Sequence, residues 1–503
     1  MNRRALRSLL LGGGLGVLIA CTGLPPGPAP TNPMRFLSIN DVYVADTLGD
    51  GTGGLARVAT MRERIRAEGP TLFVLAGDFL SPSLLSKYYG GAQMIEALNA
   101  AKLDYATFGN HEFELPRDTL VARIQAAHFK VLSANCREAN GSAFPGVQAW
   151  DTVRLAGRKV GLFGLTLQGD YAKYVQCSDP DSAARVAVDT LVQQKVDLIV
   201  GLTHQTVEAD RALLNREGRL NLILGGHEHE HMTVAISSRY VLKADANSRT
   251  AQFATVWGTR SQWHQAVALL PVPPTVEPDT AVARVVAAWS DSLRARLGPP
   301  RQIGTLQAPL DARDAVQRQA ETGLGDLVTD ALRVGAKTDL ALLNAGAIRL
   351  DDELAPGPIT SYQLESLFLF ADETRILAVP LTGGRVRELL ERSVSDGVIG
   401  KGGFLQVSGL SFTYNPAKPS GGRVVGEVVR PNGHPIGPKD TLRVALPAYL
   451  ACNGGDGYQV PEAGPACGAR NLAPRAVDLL AKFLTDSLHG TIAPPLTGRI
   501  TRQ

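Results

Sequence analysis

The sequence predicts an α/β protein of two or three domains, on the basis of three observations. Its 503 residues exceed what one hydrophobic core ordinarily organises. Across the first half of the chain, short apolar runs alternate with stretches of helical period, as in β-α-β units. A proline-rich break, PVPPTVEPD at 271–279, separates this half from a second region that again mixes helical and strand patterns. The composition, 44% hydrophobic and 20% charged, is typical of a globular protein.

The first 21 residues are predicted to be a targeting segment. Three arginines precede a short apolar stretch that ends in Leu18-Ile19-Ala20-Cys21. This ending resembles a bacterial lipoprotein processing site, where the cysteine is lipidated; the alternative is an ordinary cleaved signal peptide. We expect an exported lipoprotein, anchored to a membrane at Cys21 and facing the periplasm or the cell exterior. Residues 22–33, rich in proline, are then an extended tether.

Loss of this segment also changes the charge and the cysteine count. It removes three arginines and no acid, so the formal charge falls from +3 to about zero, which argues against binding a nucleic acid polymer through net charge. Four cysteines remain, and an even number in an exported protein predicts disulfides. The sequence leaves three pairings open; we favour nearest neighbours, which are Cys136–Cys177 and Cys452–Cys467.

The expected domains follow from these patterns. Residues 34–270 form the first, residues 271–300 form a linker, and residues 301–503 form the second. The linker contains a predicted connector helix, with Asp279 or Thr280 as its cap and an ending at Gly298-Pro299-Pro300.

Five apolar runs of the first domain lead into side chains that can bind metal. Polar groups at the carboxyl ends of strands mark the ligand site of an α/β sheet. Carboxylates mixed with imidazoles and one amide suit divalent first-row metals such as zinc, manganese or iron. One histidine after a strand is more often an ordinary polar residue, but five such ends are hard to explain as packing. The residues are Asp41, Asp78, Asn110 with His111, His204, and His227 with His229.

These strand ends resemble the calcineurin-like metallophosphoesterases. The motifs are Asp41-Val-Tyr43, Gly77-Asp78, Gly109-Asn-His-Glu112, Thr203-His204 and Gly226-His-Glu-His229. The second region resembles the C-terminal domain of 5'-nucleotidases in LGDLVTDALR (324–333), NAGAIR (344–349), GGFLQVSGLSFTY (402–414) and NGGDGY (453–458). Together they indicate the bacterial and ecto-5'-nucleotidase family. The resemblance implies a four-layer αββα metallophosphoesterase domain joined by a helix to a smaller α/β substrate-binding domain.

The resemblance also implies two divalent metal ions, which are zinc, manganese, iron or cobalt. Asp78 would bridge them; Asp41 and His229 would complete one site, and Asn110, His204 and His227 the other. His111 would be a catalytic residue, oriented by Glu114 where the family usually has aspartate. Tyr43 stands where the wider family has a histidine that binds metal.

Five residues of the second domain match the substrate contacts of the family. Asn344 and Arg349 would contact phosphate and substrate, Phe370 and Tyr449 would sandwich the nucleobase, and Asp456 would bind the ribose. The alternative for the two aromatic residues is ordinary core packing.

The activity implied is that of a metal-dependent phosphoric ester hydrolase of the 5'-nucleotidase type. Its simplest substrates are nucleoside 5'-monophosphates, cleaved outside the cytoplasm to nucleoside and phosphate in nucleotide catabolism. The alternatives are a UDP-sugar hydrolase, a 2',3'-cyclic nucleotide phosphodiesterase, or a relative that cleaves a non-nucleotide ester. A non-catalytic binding lipoprotein with a degraded metal site is a further alternative, supported by Tyr43 and Glu114 alone.

Overall fold

The structure is a computed structural model that describes residues 31–169, 171–350, 353–370, 375–493 and 497–503. The expected targeting segment, with Cys21 and most of the tether, lies outside these residues. Within the described ranges, no helix combines the length and the apolar character needed to cross a membrane. The chain divides into two compact units, the first running to Phe79 and resuming over Met94–Val285, the second comprising Leu80–Gln93 and Val286–Gln503.

Strands and helices alternate over the first elements of the chain, as predicted, whereas two later stretches are runs of consecutive strands. The strands are β1 (Met34–Ile39), β2 (Thr71–Ala76), β3 (Tyr105–Thr107), β4 (Lys130–Leu132), β5 (Cys136–Glu138), β6 (Val147–Gln148), β7 (Trp150–Leu155), β8 (Arg158–Thr166), β9 (Val175–Cys177), β10 (Leu198–His204), β11 (Leu222–Gly226), β12 (Met232–Ile236), β13 (Arg239–Lys243), β14 (Thr250–Thr259) and β15 (Gln262–Pro271). The helices are α1 (Leu55–Ala67), α2 (Leu84–Tyr89), α3 (Ala92–Ala100), α4 (Arg117–Ala126), α5 (Pro180–Gln193), α6 (Val207–Arg216) and α7 (Thr280–Leu297).

Two mixed sheets form the centre of the first unit. The first has the order β15-β14-β1-β2-β3-β4-β6, and the second has the order β12-β13-β11-β10-β8-β7. The inner strands of each sheet are parallel, so their carboxyl ends lie at one edge. Antiparallel strands, such as β14 and β12, lie towards the margins.

The inner strands of both sheets, such as β2, β10 and β11, are buried on their two faces, which accounts for their nearly continuous apolar sequences. In β10, Leu198 and Val200 face the core between the sheets, whereas Ile199 faces the core under α5 and α6. On the first sheet, Phe36 faces the same central core, and α1 packs against β2. The result is helix, sheet, sheet and helix, which confirms the predicted αββα layers.

The connector helix and both favoured disulfides are present. Helix α7 begins at Thr280, and Oδ1 of Asp279 accepts the backbone N–H groups of Ala281 and Val282 at 2.9 and 3.0 Å, so Asp279 is the cap. Cys136 is bonded to Cys177, its partner across the β5–β9 pair, and Cys452 is bonded to Cys467. The nearest-neighbour pairing is therefore confirmed.

The second unit has its own mixed sheet, with the order β21-β25-β18-β22. Alternate residues of β18 again enter different cores: Leu340 and Leu342 face one that includes α11, and Ala341 and Leu343 face one that includes α9 and α14. The strands are β16 (Gln302–Leu306), β17 (Leu310–Asp311), β18 (Leu340–Asn344), β19 (Glu353–Leu354), β20 (Gly357–Thr360), β21 (Ile376–Thr382), β22 (Leu405–Ser408), β23 (Ser411–Tyr414), β24 (Val424–Val429), β25 (Thr441–Pro447), β26 (Thr491–Ile492) and β27 (Ile500–Arg502). The helices are α8 (Asp314–Gln317), α9 (Gly323–Gly335), α10 (Ser361–Leu367), α11 (Gly383–Ser393), α12 (Ala448–Asn453), α13 (Gly464–Cys467) and α14 (Ala476–Lys482).

Candidate metal centre

Two buried aspartates follow neighbouring parallel strands of the first sheet. Asp41 comes two residues after β1 and Asp78 comes two residues after β2, and the side chains are almost fully buried. Both residues have positive φ, 51° and 53°, a conformation that is uncommon for residues other than glycine and is found at functional sites. The backbone N–H of Asp41 donates to the carbonyl oxygen of Gly77 at 3.1 Å, which couples the two turns.

The second sheet contributes three histidines from two adjacent strands. His204 is the last residue of β10 and is fully buried. It lies opposite Gly226, the last residue of β11, in the parallel register. His227 directly follows Gly226, and His229 lies two residues further along the chain. Both have positive φ, 103° and 62°.

The structure brings side chains from the two sheets together around Asp78. His204 Nε2 lies 3.1 Å from Oδ2 of Asp78 and 3.9 Å from Oδ1 of Asp41. Each of these three residues offers a donor atom within 4.8 Å of the others, which makes them a candidate metal-binding group. His229 approaches from the side of Asp41, with 3.4 Å between its Nε2 and Oδ1 of that residue.

Hydrogen bonds and neighbouring charges determine the protonation state of His204. Its Nδ1 lies 2.8 Å from the carbonyl oxygen of Ala76, which can only accept, so Nδ1 carries a proton and Nε2 faces the aspartates. Burial disfavours the charged imidazole, yet the carboxylates of Asp78 and Asp41 prevail and raise the pKa of His204 to about 9. The same attraction holds the pKa of both aspartates below its usual range, although burial acts in the opposite sense.

The remaining expected ligands lie beside this group. The rings of His227 and His204 have centroids 5.3 Å apart, and the backbone N–H of His227 donates to Oδ2 of Asp41 at 2.9 Å. Burial lowers the pKa of His227 to about 4, so its imidazole is neutral at pH 7. Oδ1 of Asn110 is buried and accepts no hydrogen bond from the described residues, as expected of an oxygen that faces a cation. This donor set therefore fits a divalent metal.

His111 and Glu114 form a pair at the rim of the same group. They lie on one 3₁₀ turn, His111–Glu114, and His111 Nδ1 is 2.7 Å from Oε1 of Glu114. The Nε2 atom of His111 lies 3.8 Å from Oδ2 of Asp78, and its backbone N–H donates to Oδ1 of that residue at 2.9 Å. The side chain of Glu114, one methylene longer than the aspartate usual in the family, thus reaches His111 directly.

Tyr43 points its hydroxyl into the group of candidate ligands. Oη lies 3.1 Å from Oδ2 of Asp78 and 3.0 Å from Nε2 of His229. Its backbone N–H is held by the side-chain oxygen of Asn247 at 3.0 Å. The phenol therefore contacts two of the three residues expected to hold the first metal.

Two residues near the centre were given no role by the sequence. Glu112 is fully buried, and its carboxylate accepts the backbone N–H groups of Asp78, Phe79 and Gly109 at 2.9, 2.7 and 2.6 Å. It thereby fixes the turn after β2, where a side chain on Gly109 would collide with the carboxylate of Asp78. Lys243 is the other residue; its only sequence signal is a lysine that ends an otherwise largely apolar strand.

In the second unit, Asn344, Asp456 and Tyr449 lie together. Oδ2 of Asp456 is 3.4 Å from the side-chain nitrogen of Asn344, and Oδ1 is 3.5 Å from the hydroxyl of Tyr449. Burial raises the pKa of Asp456, although the hydrogen bond from Tyr449 and the charges of Arg349 and Arg318 oppose this. Asp456 has a φ of 52°, in the tight turn that follows α12.

The other two expected substrate residues form a pair of their own. The guanidinium of Arg349 lies 4.7 Å from the centroid of the Phe370 ring, so it covers one face of that ring.

Comparisons with known proteins also divide the chain into two domains. Residues 34–231 match the family described as calcineurin-like phosphoesterase, and residues 302–463 match the 5'-nucleotidase C-terminal domain. The crystal structure of a 5'-nucleotidase precursor from Thermus thermophilus is 25% identical to the chain, with a TM-score of 0.75, and the match covers 93% of this chain and 99% of that one.

Two curated relatives illustrate the range of the family. The trifunctional nucleotide phosphoesterase protein YfkN of Bacillus subtilis (strain 168) is 25% identical over 80% of this chain, but this chain spans only 31% of its length. The snake venom 5'-nucleotidase of Naja atra is 24% identical, and the match covers 81% of this chain and 86% of that protein.

The fold, the polar side chains at the strand ends and the two matched domains define a two-domain metallophosphoesterase. The chain belongs to the 5'-nucleotidase family, in which a calcineurin-like phosphoesterase domain precedes a 5'-nucleotidase C-terminal domain. At the level of the family, the predicted enzyme class, a metal-dependent phosphoric ester hydrolase, is confirmed.

Proposed function

We propose that this protein hydrolyses nucleoside 5'-monophosphates to nucleoside and phosphate with two divalent metal ions. The observation that carries the proposal is the position of Asp78. Its carboxylate contacts His204 and Tyr43 within 3.1 Å, and it lies beside Asp41 at the meeting point of two sheets. A carboxylate in such a place can bridge two cations.

The residues divide into two ligand sets. Asp41, Asp78 and His229 would hold the first ion, and Asp78, Asn110, His204 and His227 would hold the second. Zinc, manganese, iron and cobalt all suit these donors. Ions bound there supply an activated water at neutral pH and neutralise the charge of the phosphate that is attacked.

His111 is placed to handle the charge or the proton on the ester. Glu114 accepts from Nδ1–H at 2.7 Å, which leaves Nε2 turned towards Asp78. A proton on Nε2 can then be donated to a phosphate oxygen or to the leaving oxygen of the nucleoside. Glu114 orients the ring and stabilises its positive charge.

The second unit supplies groups that suit a nucleoside monophosphate. Asp456 offers carboxylate oxygens to ribose hydroxyls, and Arg349 offers a planar fork of donors to phosphate. Phe370 and Tyr449 offer aromatic faces to a base. This combination favours nucleotides over esters without a base.

A substrate panel tests the proposal. Metal-replete protein is assayed with AMP, UDP-glucose, 2',3'-cyclic AMP and bis-p-nitrophenyl phosphate, and the metal content of the same sample is measured. We expect the highest kcat/KM for AMP. A higher value for UDP-glucose or for 2',3'-cyclic AMP would reassign the substrate, and no turnover of any ester in a metal-loaded sample would favour a binding protein.

We further propose that the protein is exported and anchored at Cys21. Two disulfides in the described residues support an oxidising compartment. Wild-type protein should incorporate labelled palmitate in cells, and Cys21→Ala should not. Labelling of Cys21→Ala equal to that of wild type would contradict a lipid anchor at that residue.

A further inference from the structure

Lys243 is a buried lysine whose ammonium group has three hydrogen-bond acceptors around it. It ends β13, and 1% of its side chain is exposed. Nζ donates to the carbonyl oxygen of Gln205 at 2.6 Å, to that of Gly226 at 2.9 Å and to Oε2 of Glu228 at 2.6 Å. Because an ammonium group has three donors, this set uses all of them.

Each of the three acceptors belongs to a residue that is next in sequence to a histidine of the candidate metal centre. Gln205 directly follows His204, and Gly226 directly precedes His227. Glu228 lies between His227 and His229. One ammonium group therefore joins the ends of both strands from which the three histidines of the candidate metal centre project.

Two further contacts tie this group to the rest of the unit. Oδ2 of Asp210, a fully buried residue of α6, lies 3.1 Å from Nζ. The other oxygen of Glu228, Oε1, accepts the backbone N–H of Val207, the first residue of the same helix. The loop that carries His227 and His229 is thus fastened to α6 as well as to β13.

We propose that Lys243 is a positioning residue of the metal centre, which holds His204, His227 and His229 in the arrangement that binds the ions. The proposal rests on the proposed function only in taking these histidines as metal ligands. Removal of the lysine alone leaves the carboxylates of Asp210 and Glu228 without their cation, so a purely structural role already predicts a loss of stability. A positioning role predicts in addition that the folded variant binds metal more weakly and with a changed ligand geometry.

The test compares Lys243→Met with Lys130→Met, a matched control at an exposed lysine that pairs with Asp151. Metal-free proteins are titrated calorimetrically with Mn²⁺, and absorption spectra are recorded with Co²⁺, whose visible bands report ligand geometry. We expect the Mn²⁺ Kd of Lys243→Met to rise about tenfold or more and its cobalt bands to change, while the control matches wild type. A folded Lys243→Met with the Kd and the cobalt spectrum of wild type would overturn the proposal.

A milder variant covers the case in which Lys243→Met does not fold. In Glu228→Gln, the amide oxygen can still accept from Val207, but the amide nitrogen faces Nζ and removes one acceptor. We expect a smaller rise in Kd in the same direction; an unchanged Kd would contradict the positioning role. Neither measurement uses a nucleotide, so a wild-type protein that binds no metal would refute the metal centre itself, and unchanged variants would refute only the role of Lys243.

Discussion

The hydroxyl of Tyr43 lies 3.1 Å from Oδ2 of Asp78, the carboxylate expected to bridge two metals. The hydroxyl oxygen of Tyr43 also lies 3.0 Å from Nε2 of His229. The wider family has a histidine at this position, so a hydrogen-bonding phenol stands where an imidazole ligand is expected. We infer that Tyr43 is a neutral phenol and that the first metal binds more weakly than the second.

Substitution of Tyr43 tests this inference. Tyr43→His should raise the metal content of dialysed protein towards two ions per chain and lower the added metal needed for activity. Two ions in dialysed wild-type protein would show that weak binding is wrong. A visible charge-transfer band that disappears in Tyr43→Phe would instead indicate a phenolate ligand.

The two aromatic residues of the second unit should matter for nucleotides alone. Base stacking is worth about 1–3 kcal/mol, so Phe370→Ala or Tyr449→Ala should raise the KM for AMP by roughly 5- to 150-fold. Hydrolysis of p-nitrophenyl phosphate, which has no nucleobase, should change little. A matched control is Phe483→Ala, a partly buried phenylalanine of the same unit. Equal losses on both substrates would favour core packing.

Asp326 should make stability depend on pH. Burial and the neighbouring Glu321 raise its pKa from 3.8 to about 8, against the opposing charge of Arg499. Between these two values the folded protein holds a proton that the unfolded chain releases, so the free energy of unfolding falls as the pH rises through this window.

The neutral variant Asp326→Asn lacks this proton equilibrium. Its Tm should therefore fall less than that of wild type between about pH 5 and about pH 9, as measured by differential scanning fluorimetry. The control is Asp118→Asn, at a side chain that is 94% exposed, and it should follow wild type. If the Tm of Asp326→Asn and that of wild type fell equally over this pH range, the raised pKa of Asp326 would be contradicted.

The layers and the clustering of the strand-end side chains were predictable because their signals are local. Each expected ligand follows its own apolar run, and parallel strands place such ends at one edge of a sheet. The disulfides were predictable because each joins two cysteines that are consecutive in the order of cysteines along the chain. The helix cap at Asp279 was predictable because it depends only on residues close to it in sequence.

The supporting residues were not predictable, because their partners lie far away in the sequence. Glu112 accepts from Asp78, 34 positions earlier, and Lys243 donates to Gln205, 38 positions earlier. Neither pair has a sequence pattern of its own. Arg349 over Phe370 is a similar case, since the sequence assigned each a separate role and gave no sign of their contact.

The central claim is that Asp78 serves two metal ions in phosphate ester hydrolysis. The most direct measurement is the metal content and the AMP turnover of Asp78→Asn, with the exposed Asp118→Asn as control. Loss of the bridging charge should reduce the bound metal at both sites and lower kcat by several orders of magnitude, while the control keeps both. Near wild-type turnover of Asp78→Asn with a full complement of metal would contradict the account.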